Sequence, residues 1–80
     1  MINTIMECYP DEEFLKADGF DDAIIGLEQM SNRLIYSYTK CIDILCQEMG
    51  EEEAVEYFEY NVVNAYVGEK TPIWCYDTFE

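Results

Sequence analysis

The sequence predicts an α+β fold: a small three-stranded antiparallel sheet with two helices on one face, in the order β-β-α-α-β, behind a short acidic N-terminal helical segment. Three observations predict it. Residues 22–28 and 33–38 are rich in β-branched, aliphatic and aromatic types and flank a polar turn. Residues 39–49 and 51–66 space their apolar residues at helical intervals. Pro72 then opens a last run of strand-forming residues, Ile73-Trp74-Cys75-Tyr76.

Each element has a local reason. Pro10, followed by Asp11, Glu12 and Glu13, suits a first helical turn, where a missing N–H costs nothing and acids meet the positive pole. Asp18-Gly19 ends that segment. Gln29 to Asn32 supplies the turn of the hairpin, although no Asn-Gly pair is present. Thr39 is a natural N-cap, and Cys41, Ile42, Leu45, Cys46 and Met49 fall on the inner side of the helix that follows. Gly50 reads as its stop. Glu51, Glu52 and Glu53 open the second helix, whose stripe is Ala54, Val55, Phe58, Val62 and Ala65. Residues 1–80 form one domain: an acidic segment (1–21), a ββααβ core (22–76) and a tail (77–80).

Composition narrows the function. Half of the residues are hydrophobic and 15% are aromatic, enough to fold despite the charge. Eighteen acids face four bases, a net charge of −14, and there is no histidine. That charge opposes direct contact with DNA, RNA or an anionic membrane. Without histidine the usual general base and catalytic triads are missing, and no Gly-rich phosphate loop is present. The expectation is a non-enzyme with no catalytic residue, no cofactor and no metal site. Asp18, Asp21 and Asp22 resemble the start of a calcium loop, but Phe20, Ala23 and Gln29 stand where such a loop needs an oxygen ligand, a glycine and a glutamate. Cys8, Cys41, Cys46 and Cys75 form no C-x-x-C pair, and no secretory signal or apolar membrane span is visible, so they read as reduced core thiols in a cytoplasm. Asn61, close to the apolar stripe, reads as a structural residue that satisfies backbone groups in the loop 67–71.

Two surfaces stand out as candidate partner sites. Between residues 41 and 68 there are seven acids (Asp43, Glu48, Glu51, Glu52, Glu53, Glu56 and Glu59) and no base. Glu52, Glu56 and Glu59 fall at i, i+4 and i+7, on one outward helix face, where like charges cost stability. Asp21 and Asp22 belong to a second acidic group, with Asp11, Glu12, Glu13 and Asp18. Such a field is either a plain solvated surface or a row of negative charge that stands in for a nucleic-acid backbone in a basic groove. The second candidate is aromatic: Tyr36 and Tyr38 on one strand, Trp74 and Tyr76 on another. Two helices cover only one face of a small sheet, so these residues either lie under the N-terminal segment or make a homodimer or partner contact.

The runs FDDAIIG, RLIYSYTKCIDIL and EEEAVEYFEYNVVNAYVGEKTPI are similar to small acidic proteins encoded by bacteriophages and prophages. The resemblance covers residues 20–73. Its marks are Asp21-Asp22-Ala23 with Ile25-Gly26, and Asn61 through Gly68-Glu69 with Thr71-Pro72. It carries no catalytic residues. It implies a mobile-element origin, a host-cytoplasm setting and, by analogy, inhibition of host machinery in the manner of anti-CRISPR proteins. The expectation is an accessory protein that blocks a basic nucleic-acid-binding surface of a host defence or nucleic-acid enzyme. The alternative is a structural or adaptor protein that uses the aromatic sheet face.

Overall fold

The computed structural model describes residues 1–63 and 68–77. Three helices, α1 (Ile2–Cys8), α2 (Tyr38–Leu45) and α3 (Glu51–Phe58), accompany three strands, β1 (Ile24–Leu27), β2 (Leu34–Ser37) and β3 (Ile73–Cys75). The α+β expectation holds, and β2 is the central strand. The sheet is mixed, not antiparallel. β1 and β2 form an antiparallel hairpin, whereas β3 runs parallel to β2. Residues 38–72 explain the difference: α2 and α3 carry the chain far enough to return in the original direction, as a parallel neighbour requires.

The hairpin contains a bulge at Ile25. Ile24 opposes Tyr36, but Gly26 already opposes Ile35. The extra residue shifts the alternation by one, so Ile24 and Leu27 both reach the core. The turn holds without an Asn-Gly pair because Glu28 braces it. Its carboxylate accepts from Met30 N (2.9 Å), Ser31 N (2.8 Å) and Ser31 Oγ (2.7 Å). Asn32 takes the left-handed conformation (φ 57°), which asparagine tolerates better than most residues.

Several boundaries differ from expectation. The N-terminal helix is Ile2–Cys8, where Ile2 and Ile5 pack on the core at a one-turn spacing. Pro10 instead follows the helix, in a turn in which Glu12 N donates to Tyr9 O (3.1 Å). Residues preceding proline avoid helical geometry, and Tyr9 (φ −130°, ψ 66°) does so here. The cap of α2 is Ser37, not Thr39: its hydroxyl accepts from Lys40 N (3.1 Å) and donates to Asp77 Oδ1 (2.8 Å). Gly50 is not the stop of α2 but the residue before α3, in extended geometry. After Phe58 the helix widens into a π-helical turn (Glu59–Val63). The expected end of that helix at 66, with Asn64 and Ala65, and the tail 78–80 lie outside the described residues.

The core joins Phe20, Ala23, Ile24, Leu34, Tyr36, Cys41, Ile42, Leu45, Ala54 and Phe58. Phe58 is its aromatic hub, with ring centroids 5.2 Å from Trp74, 5.5 Å from Tyr38 and 5.8 Å from Phe20. The N-terminal segment closes over this core: Ile2, Ile5, Phe14 and Ala17 pack on it, and Ala17 N donates to the Tyr36 hydroxyl (2.8 Å). Lys70 ties the last loop to this segment through Glu12 (2.6 Å) and to the hairpin turn through Ser31 O (3.0 Å). Among the described residues no helix is long and apolar enough to cross a membrane.

Candidate partner-binding face

Burial removes part of the expected aromatic surface. Tyr36 is fully buried, and its ring lies 5.0 Å from Trp74, which is half-buried. Tyr38 is half-buried beside Tyr76, at 4.8 Å, and only Tyr76 is open to solvent. The reason is the N-terminal segment, which covers Tyr36 and fixes its hydroxyl. The sheet face opposite the core is aliphatic where it is paired: Ile35 opposes Ile73, and both are half-exposed and stand apart from the core cluster. Burial pushes the Tyr36 phenol up from its ordinary pKa, an effect the bond from Ala17 N only partly offsets. The Trp74 Nε1 is buried without a hydrogen-bond partner among the described residues.

The cysteines divide in the same way. Cys41 alone is fully buried, and burial, with a smaller contribution from Asp77, pushes its thiol up to about 12. Cys75 is half-buried, whereas Cys8 and Cys46 are exposed, so the core reading applies to Cys41 and not to all four. Among the described residues no three Cys, Asp or Glu side chains converge as metal ligands.

The acidic residues sort into those the fold gathers and those it separates. Tyr57, 46% exposed, lies at the meeting point of three concavities. One, between α3 and the π-turn, adds Glu53, Glu56 and Tyr60, the last 77% exposed. Another sets Asp18 against Glu48, so the two acidic groups of the sequence meet there. Glu56 continues the surface to Glu51 and Glu52. The third is a cleft in which Leu15, Val62, Pro72 and Trp74 form apolar walls. Lys16 lines that cleft and is held 3.6 Å from Asp21.

Glu59 begins the π-helical turn, is half-buried, and lies near enough to Tyr38 to add to the upward push that burial gives that phenol. Asp43 and Asp22 are exposed but line none of these concavities, and Asp21 is engaged by Lys16. The sequence leads one to expect Asn61 to serve the loop 67–71, of which residue 67 lies outside the described residues. Asn61 is exposed, and its Nδ2 donates to Tyr57 O (3.2 Å) one turn back.

The residues missed from the sequence are Tyr57 and Tyr60. Both fall off the stripe of Ala54, Val55, Phe58 and Val62, which is the signal that marks them as outward-facing. The arrangement contains a concave, negative, partly aromatic surface. It can receive a cationic, partly apolar protrusion. Comparison with protein-family models, curated proteins and solved structures finds no match for this chain.

Proposed function

We propose that this protein binds, through the acidic face around Tyr57, a basic protein surface that otherwise holds nucleic acid. One observation carries the reading. Asp18, Glu48, Glu53 and Glu56 border adjoining concavities around an exposed tyrosine, and among the described residues no lysine or arginine lines the two that hold Glu48, Glu53 and Glu56. Spaced carboxylates can occupy the cation sites of a phosphate-binding groove. Tyr57 and Tyr60 add the aromatic contact that a charge-only surface lacks. The resemblance to phage-encoded proteins makes host defence and nucleic-acid enzymes the first partners to try, with inhibition by competition as the mode of action.

The test is affinity capture from host cells with the intact protein and with a variant carrying Glu52→Lys, Glu53→Lys and Glu56→Lys. A partner held by the wild type at about 0.1 M salt, released toward 0.5 M and missed by the variant supports the proposal. Equal capture by both proteins contradicts it. A second reading rests on the half-exposed Ile35–Ile73 pair: the outer sheet face makes a homodimer or an assembly contact, and the acids only maintain solubility. Sedimentation over a concentration series separates the two, because Ile35→Lys would then abolish assembly and the charge reversals would not.

A further inference from the structure

The cavity where the two acidic groups meet has the make-up of a side-chain receptor. It is a half-open concavity of about 270 Å³, room for one long side chain. Phe20 and Leu45, both buried, and the half-buried Ile44 supply apolar walls. Tyr57 supplies an aromatic ring, and Asp18 and Glu48 supply carboxylates from two separate parts of the chain. Such a cavity would match a cation on an apolar stem.

A second feature of the same place also favours a cation. Residues 44–48 are the end of α2 and the turns after it, where Gln47 N and Glu48 N bond back to Ile44 O and Leu45 O. A helix C-terminus is its negative pole and usually attracts a lysine or arginine. Here the last turn has no basic residue. No lysine or arginine among the described residues lines the cavity either. Among the described residues, then, no basic side chain lines this cavity to meet the negative pole or Glu48, and Lys16, which shares the adjoining cleft with Asp18, is paired with Asp21.

We infer that this cavity receives an arginine side chain from the partner, an inference that rests on the proposed acidic-face function for its choice of a cationic occupant. Arginine fits better than lysine. Its planar guanidinium stacks on a phenol ring and donates in a fork, so one group can serve two carboxylates. The methylene stem lies on Phe20, Ile44 and Leu45.

The experiment titrates the isotope-labelled, full-length protein with acetyl-Gly-Arg-Gly-amide and with its lysine and citrulline counterparts, at low salt, followed by amide resonances. The arginine peptide should shift Gly19, Leu45, Glu48 and Tyr57 in one saturable process. It should bind at least about fivefold more tightly than the neutral citrulline peptide. Asp18→Asn combined with Glu48→Gln should weaken it by a similar factor, and Tyr57→Leu should weaken it as well. Glu7→Gln, an exposed acid on α1, should change nothing. These exposed substitutions leave the core intact, and the spectrum of each variant reports its fold. Shifts spread over every acidic segment, an equal response to citrulline, or an undiminished affinity in the double variant would overturn the pocket. Equal binding of the lysine peptide would overturn the arginine assignment. If the pocket fails while capture through Glu52, Glu53 and Glu56 persists, the arginine inference alone falls; if both fail, the acidic-face reading falls with it.

Discussion

Glu28 lies in the hairpin turn, where its oxygens accept from two backbone amides and one hydroxyl. Those bonds, that from Met30 N first, hold its pKa below the ordinary 4.5. A carboxyl with a depressed folded value binds its proton more readily in the unfolded chain. Its contribution is therefore present above pH 4.5 and is lost as the pH falls through the lower folded value. Glu28→Gln should be less stable than the wild type at neutral pH, and the gap should close in acid; urea melts at the two pH values measure it. Tyr36 has the opposite sign at the other end of the scale. Its phenol is raised from 10.0 by burial, so its contribution is whole below pH 10 and fades as the pH climbs above it. Tyr36→Phe leaves Ala17 N without its acceptor and should cost on the order of 1–3 kcal/mol, read from the same melts. It should also flatten the alkaline loss. Thiol alkylation followed by mass spectrometry should label Cys8 and Cys46 in the native protein and Cys41 only after unfolding.

The elements were legible in proportion to how local their causes are. The hairpin and both principal helices follow from residues within a few positions of each other, and their starts fall close to expectation, although α2 stops at Leu45 and α3 gives way to the π-turn after Phe58. The direction of β3 was not legible, because it is set by how α2 and α3 carry the chain back and not by Ile73, Trp74 or Cys75. The bulge at Ile25 and the π-turn after Phe58 likewise answer to packing more than to propensity. Ser37 displaced Thr39 as the cap because the strand ends one residue before the helix begins, leaving no linker for Thr39 to close. Ser37→Ala should cost about 1 kcal/mol through the lost cap, in addition to the lost bond to Asp77. Phe58→Ala should cost about 3–5 kcal/mol, because it removes the ring that Phe20, Tyr38 and Trp74 all touch. For a small domain with about 5–15 kcal/mol of total stability, that change should leave a visibly unfolded fraction in a thermal melt.

Across the whole molecule, the number of acids was legible in the sequence and their company was not. Nothing in the spacing of Asp18, Glu48 and Tyr57 brings them together; the closure of the 18–20 turn against α2 and α3 does. The N-terminal segment just before that turn takes Tyr36 out of reach. With a net charge of −14, and Lys16–Asp21 and Lys70–Glu12 as the ion pairs among the described residues, the fold carries considerable self-repulsion. Added salt should raise its melting temperature by screening that repulsion, yet weaken its hold on a basic partner. The most direct measurement of the central claim is the dissociation constant for a captured partner, taken across a salt series for the wild type and for the Glu52→Lys, Glu53→Lys, Glu56→Lys variant. A steep loss of wild-type affinity with salt, and no measurable binding by a folded variant, is the predicted result. Salt-independent affinity shared by both proteins would contradict it.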